Sequence, residues 1–406
     1  YMYKLFWLLI IFKLVTLISV QGEGKGQVYE LDDFLVSASR YEQNLSEVSP
    51  SATIFNKDDI EIGQYINLSE ILNNSAGVFI VPNGGVGAAT SLFSRGAESS
   101  HTAIVLNGRK LPSGFSNQYE LGQLSLANLQ SVEIIRGDST SLYGGALSGL
   151  VNLRSNDRNV SSRESLKFET GSKRHKYFDY NIINNEEDSF LSFGMNYTNT
   201  DGYLENPYKR YSTNIYFAQE VSDMILFDFQ YYGLDSSLGV PGYYTGRYWD
   251  PSDEINDTEA LMVSPGVIVQ LSDVLELDVK LNFSENQLDA ARTNIEEEWD
   301  LSWGLGYNPN AGKNSDVSYV ENINYLEALL KYKKDSNSNL IFGYVQENRD
   351  YSRKPLGTTS KFDSLLLSFN TNALFAQASL DVGEDSVIKI ASRYTDYSNY
   401  FGHSFN

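Results

Sequence analysis

From about residue 160 onward the chain alternates apolar and polar side chains with period two. Leu275-Glu-Leu-Asp-Val-Lys-Leu-Asn-Phe283 is apolar at every second position, and Leu191-Ser-Phe-Gly-Met-Asn-Tyr197 follows the same rule. Successive side chains of a strand point to opposite faces, so the pattern predicts ribbons with one apolar and one polar face. Eleven such segments are predicted, over 163–171, 177–184, 189–199, 211–221, 224–233, 260–271, 274–286, 318–333, 338–347, 370–382 and 386–398. They run to roughly ten residues, against the five or six usual in soluble sheets. Tight Ser-Asp turns lie in Gln219-Glu-Val-Ser-Asp-Met224 and Gln270-Leu-Ser-Asp-Val274, while polar stretches near 199–210, 234–260, 287–317 and 347–369 predict long loops. Short turns alternating with long loops favour a transmembrane barrel over a soluble β-sandwich.

Residues 45–154 have a different texture and predict a compact α+β unit. Ser51-Ala-Thr-Ile-Phe55 and Val78-Phe-Ile-Val81 are strand-like. Asn67-Leu-Ser-Glu70 has the form of a helix N-cap with Glu at N3, leading into Ile71-Leu72 and stopping at Gly77. Strand Thr102-Ala-Ile-Val-Leu106 runs into Asn107-Gly108, a strong hairpin signal. The most specific stretch is Val132-Glu-Ile-Ile-Arg-Gly-Asp-Ser-Thr-Ser-Leu-Tyr-Gly-Gly-Ala-Leu-Ser-Gly-Leu-Val-Asn-Leu153, in which strand, Arg-Gly turn, Tyr-Gly hinge and second strand follow one another.

That stretch resembles the end of the plug domain of TonB-dependent outer-membrane receptors. Within the family, Asp33-Phe-Leu-Val-Ser-Ala-Ser-Arg40, Asn83-Gly-Gly85 and Ser100-His101 are most similar to the cobalamin (vitamin B12) transporter branch. Asp138 departs from the usual proline, and the stretch from Tyr143 to Asn152 is a residue shorter than usual. The resemblance implies an α+β plug domain followed by an antiparallel transmembrane β-barrel. Barrels wide enough to hold a plug have about 22 strands, so eleven segments predict a fragment carrying the plug and about half a barrel. A stop codon after Asn406 in the gene would count against that expectation.

Composition agrees with a barrel: 13% of residues are aromatic, with 28 Tyr and 21 Phe, and no long apolar run exists past residue 20. There is no Cys, which removes disulfides, thiolate metal sites and Cys nucleophiles. A net charge of −21 argues against nucleic acid as a partner. Lys4, the apolar stretches Leu5–Phe12 and Leu14–Val20 around Lys13, and small residues near Gly22 predict a signal peptide over 1–22. Residues 23–44 then form a flexible leader, followed by the plug at 45–154 and a partial barrel at 160–406.

Several sites follow. Asp32, Asp33, Phe34, Leu35, Val36, Ser37 and Ala38 resemble the TonB box, a short extended segment able to add a strand to a partner's sheet edge. Arg95 and Arg136, each before a glycine, stand where the family has arginines that latch the plug onto barrel carboxylates. By resemblance, Asn83, Gly84, Gly85, Val86 and Gly87 form one plug apex that touches ligand, and Phe115 and Asn117 belong to another. Tyr243, Tyr244, Tyr248 and Trp249 offer aromatic surface for a planar ligand. Asp250, Asp253, Glu254 and Asp257 lack a fixed metal-loop spacing, and Asp201-Gly202-Tyr203 matches the family's calcium loop only loosely. No cofactor is assigned; calcium stays open. His101, His175 and His403 fit no catalytic or metal spacing, so an enzyme is not expected.

The implied function is energised uptake of a scarce, bulky nutrient, cobalamin or a ferric siderophore, across the outer membrane of a Gram-negative bacterium. The implied partners are a TonB-type energy-transducing protein in the periplasm, outer-membrane lipid and the small-molecule nutrient. The alternative is a passive plugged barrel or surface adhesin without energy coupling.

Overall fold

The computed structural model describes residues 52–114, 119–137, 140–203, 206–240, 254–292, 316–334, 338–356, 364–381 and 387–398, together with Phe34–Leu35, Arg40, Gln43–Asn44, Tyr243–Tyr244, Trp249–Asp250 and His403–Phe405. Strand β1 (Ala52–Asn56) enters helix α1 (Lys57–Ile62) through a capping box, with Asn56 and Asp59 exchanging side-chain-to-backbone bonds. Helix α2 (Leu68–Asn73) starts at Asn67, whose side chain accepts from the Glu70 amide as its spacing predicts. Hairpin β2 (Val78–Pro82) and β3 (Thr90–Ser94) follows. Strands β4 (Thr102–Leu106), β5 (Arg109–Lys110), β6 (Ser131–Arg136) and β7 (Gly149–Arg154), with the short helix α3 (Thr140–Tyr143), complete the plug. Its sheet has the order β1-β6-β7-β4-β5, with β4 and β7 parallel.

Eleven long antiparallel strands form the wall. They are β8 (Arg163–Thr170), β9 (Lys176–Asn185), β10 (Ser189–Thr200), β11 (Tyr208–Ser222), β12 (Ile225–Gly239), β13 (Glu254–Ser272), β14 (Leu275–Arg292), β15 (Val317–Lys333), β16 (Asn339–Pro355), β17 (Leu365–Asp381) and β18 (Val387–Ser398). Each pairs with its sequence neighbour, and the short β19 (His403–Phe405) pairs with β18. The turns at 223–224 and 273–274 are tight, as predicted, and lie at one end of the wall. Several strands outrun their predicted bounds at the other end: β13 reaches 19 residues and β16 reaches 17. The backbone ladder continues there past the end of the regular apolar–polar alternation.

Alternation sets the two faces. On β11 the buried residues Tyr208, Arg210, Ser212, Asn214, Tyr216 and Ala218 face inward, and Lys209, Tyr211, Thr213, Ile215 and Phe217 face outward. Outward apolar side chains such as Phe283, Phe342, Leu374 and Ile390 remain exposed. The plug touches the wall from Ser192 on β10 to Arg393 beside Gly144, so the sheet wraps around it. Its main core (Leu68, Ile71, Leu106, Val132 and Leu153 among others) is continuous with Tyr232, Leu234, Ala260 and Met262 of the wall. The inner face is therefore not uniformly polar.

Gly149 has φ 156, and a Cβ there would overlap the Ile135 carbonyl oxygen in the paired strand β6. Gly149→Ala should cost about 1–3 kcal/mol and raise hydrogen exchange at the Ile135 and Leu150 amides. Gly145, with φ 71 and nothing within 4 Å, is the control; Gly145→Ala should cost clearly less. Equal effects would contradict this packing.

Candidate functional site

Phe34–Leu35 pairs antiparallel with Gln43–Asn44, bringing this part of the candidate box back on its own chain. Asp32, Asp33, Val36, Ser37 and Ala38 lie outside the described residues. Between the paired segments Arg40 takes a left-handed conformation, φ 59, and is 7% exposed. Its guanidinium donates to both carboxylate oxygens of Glu327 on β15, at 2.9 and 2.7 Å. It also donates to the Gly108 and Leu142 carbonyls and lies 3.8 Å from the centre of the Tyr143 ring. Tyr325 donates to the same carboxylate at 2.9 Å. A two-pronged pair of this kind fixes orientation as well as adding energy. Burial disfavours the Arg40 charge, but Glu327 and the two tyrosines outweigh it and hold the group protonated, above its ordinary value. Burial pushes the Tyr143 hydroxyl up to about 12, against the pull of Arg40. One side chain thus ties the segment following the box to plug and wall together.

A second buried pair joins Arg109 on β5 to Asp228 on β12 at 2.7 Å, and Arg109 Nε donates to Ser264 on β13 at 2.9 Å. Gly266 permits the approach, since a Cβ there would overlap Asp228 Oδ1 and lie 2.9 Å from Arg109 Nη2. Lys110 reaches Glu347 on β16 at 3.4 Å, and Arg349 bridges Glu347 and Glu321. Burial holds Lys110 below its ordinary value despite the nearby Glu347 carboxylate. Amides and hydroxyls add a further layer. Asn107 donates to Gln230 and Ser155, and Asn128 donates to Ser192 while accepting from Asn214.

Arg95 and Arg136, the candidate latch residues, are not members of these pairs. Arg95 and Arg136 do lie in one corner of the plug, and partial burial together with the Arg95 charge lowers the Arg136 pKa. However, Arg136 donates at 2.8 Å to Thr53 Oγ1 and Ser75 Oγ, which are plug hydroxyls and not wall carboxylates. Arg40, Arg109 and Lys110 each pair with a carboxylate of the described wall. The local clue was available: two cations follow the Asn107-Gly108 turn directly, and Arg40 follows the box.

The apex loop Asn83–Gly87 is described. Asn83 and Val86 are exposed, whereas Gly87 is buried with φ 80. A Cβ on Gly87 would overlap the Tyr208 ring, and one on Gly85 would lie 2.7 Å from Asn206. Gln123 donates to the Gly87 carbonyl, and its own side-chain and backbone oxygens accept from Ser236 and Arg210. The loop is thus braced on β11 and β12 where they approach the long-loop end. Phe115, Asn117 and Tyr248 lie outside the described residues. Tyr243–Tyr244 pairs with Trp249–Asp250, setting Tyr244 opposite Trp249. Asp201 bonds Arg174 at 2.5 Å.

Residues 44–150 match the family model described as TonB-dependent Receptor Plug Domain. The chain is similar in fold to the ferripyoverdine receptor of the outer membrane of Pseudomonas aeruginosa, at a TM-score of 0.71 and 13% identity, covering 92% of this chain and 55% of that one. It is similar to the ferric preacinetobactin receptor from Acinetobacter baumannii, at 0.68 and 12%, covering 92% and 62%. It also matches the ferric-catecholate import receptor from E. coli K12, at 0.65 and 15%, covering 87% and 60%. The chain therefore spans between about half and three-fifths of these receptors. The shared fold is a plug enclosed by an antiparallel barrel wall.

Removing one partner of a buried pair strands the other charge. Glu327→Ala should lower stability by about 3–5 kcal/mol, whereas Arg40→Leu combined with Glu327→Leu should cost far less than the two single changes summed. Unfolding of the purified protein in detergent, run as a double-mutant cycle, measures this. Simple additivity would contradict the pairing.

Proposed function

We propose that this protein is a TonB-dependent receptor of the bacterial outer membrane, importing a scarce and bulky nutrient such as a ferric siderophore or cobalamin. The observation that carries this reading is the connection at Arg40. A strand-forming segment resembling a TonB box adjoins a residue that grips both the plug and the wall, so tension on that segment reaches their interface directly. A periplasmic partner would take Phe34–Leu35 as an added strand, exchanging its pairing with Gln43–Asn44 for an intermolecular one. Backbone hydrogen bonds then transmit the pull.

The remaining features fit this role. The outward apolar band suits lipid, and the tight turns suit the periplasmic side. The long-loop end carries the braced apex Asn83–Gly87 and the paired segments Tyr243–Tyr244 and Trp249–Asp250, which we assign to ligand capture. The solved structures of similar fold include receptors for ferripyoverdine and ferric preacinetobactin, which favours an iron chelate. The box-like segment and Asn83-Gly-Gly85 keep cobalamin as the second ligand class. Ligand binding at the apex can expose the box only as far as the ligand binds one state more tightly than the other.

Cells producing the full-length receptor should retain labelled ferric siderophore or cyanocobalamin at the surface and accumulate it only with a proton-motive force. Leu35→Pro deletes a backbone donor from the added strand, so it should abolish accumulation while surface binding persists. Accumulation indifferent to a protonophore would instead identify a passive plugged barrel. Loss of binding and accumulation together in Leu35→Pro would contradict the box assignment.

A further inference from the structure

The hairpin joining β8 to β9 turns on Ser172-Lys-Arg-His175, with the His175 amide donating to the Ser172 carbonyl at 3.1 Å. Lys173 and Arg174 both take left-handed backbone, φ 55 and 51. A two-residue hairpin turn of this hand ordinarily uses Asn-Gly, because a side chain at either position strains the backbone. Such strain gathers at functional positions. Here it holds two cations side by side at the top of a short hairpin.

Register carries the charge onto the outward side of the wall. Thr170, Lys176, Asn199 and Lys209 are cross-strand neighbours on β8–β11, and Phe168, Phe178, Tyr197 and Tyr211 form the outward row directly beneath. Leu166 and Phe168 are exposed, so on these strands the apolar band reaches up to the cation row. Lys209 Nζ lies 5.0 Å from the centre of the Tyr211 ring, and Lys173 Nζ lies 5.7 Å from that of Tyr203. Arg174 is taken by Asp201, whereas Lys173, Lys176 and Lys209 form no ion pair among the described residues. Continued onto β12–β14, the same two rows become Ser237, Asp257 and Asp289 above Asp235, Glu259 and Gln287. Asp235, diagonal to Lys209, marks the boundary. A chain of net charge −21 thus gathers lysines at one sector of its outward rim and carboxylates beside it. Solubility alone does not require that separation.

We infer that the outward rim of β8–β11 binds the phosphorylated headgroup of an outer-leaflet lipid. The ammonium groups meet phosphate oxygens, the tyrosine row sits at headgroup level, and Leu166 and Phe168 lie against the acyl chains. Lys176 and Lys209 stand two strand spacings apart, about 10 Å, which suits a headgroup carrying two phosphates better than a single small anion. The inference needs the outward band to lie in lipid and is independent of energised import.

The full-length receptor, purified in a non-ionic detergent, would be titrated with diphosphoryl lipid A and the bound lipid counted by native mass spectrometry. All three lysines are exposed, so Lys173→Gln, Lys176→Gln and Lys209→Gln together should leave the fold intact. They should weaken binding about a hundredfold, roughly fivefold for each cation lost. Lys354→Gln, at an exposed position on β16, should leave binding unchanged. Lys173→Asn with Arg174→Gly gives the turn its preferred residues, so it should raise the unfolding temperature yet lower lipid binding. A turn serving the fold alone would not divide the two readouts. Undiminished binding in the triple variant, equal binding of zwitterionic phosphatidylcholine, or full competition by equimolar inorganic phosphate would each overturn the lipid assignment.

Discussion

A charge buried between two parts of a protein has to keep its partner. The plug meets its wall through Arg40–Glu327 and Arg109–Asp228, both sequestered from solvent, and breaking either in a dry interface would strand an ion at a cost of several kcal/mol. This constraint makes plug position close to all-or-none, because a displacement of a few ångströms forfeits both pairs unless water enters with the motion. It also explains why glycine occupies 266, where any side chain would displace Asp228 from Arg109.

The pairs do not work alone. Near the long-loop end the plug core runs unbroken into Tyr232, Leu234 and Met262, and toward the tight-turn end a second apolar cluster joins Leu142 to Ile341 and Phe375. Burying a side chain of that size contributes about 1.5–3 kcal/mol, against roughly 0.5–1.5 kcal/mol net for an ordinary hydrogen bond. Apolar contact therefore seats the plug, and the polar contacts fix its orientation. An interface of this mixed character can be strong at rest and still have a direction in which it yields.

Much of the architecture was legible because period two survives on the outward face. Leu277, Val279, Leu281 and Phe283 point away from the plug while Asp278, Lys280 and Asn282 point toward it, as their alternation required. The α2 cap at Asn67 was equally plain. The α1 helix was not, since only Ile60 of its six residues is buried and its periodicity is too short to register. Strand ends were underestimated where the regular alternation lapses, as at Asn348-Arg-Asp350 of β16. The charged contacts were hidden for a different reason: Arg40 and Glu327 are 287 positions apart, and no local pattern says which carboxylate an arginine will meet. Family resemblance drew attention to Arg95 and Arg136; it did not single out Arg40, Arg109 and Lys110, which pair with carboxylates of the described wall.

The central claim is that residues 52–154 sit inside the wall, and a single disulfide tests it most directly. A Cβ built on Gly194 of β10 lies 2.7 Å from Asn128 Cβ in the plug, so a shift of about 1 Å gives disulfide geometry. The Asn128→Cys, Gly194→Cys variant of the full-length protein, oxidised mildly in the membrane, should cross-link nearly quantitatively. Two free thiols persisting in folded, membrane-inserted protein would contradict the account.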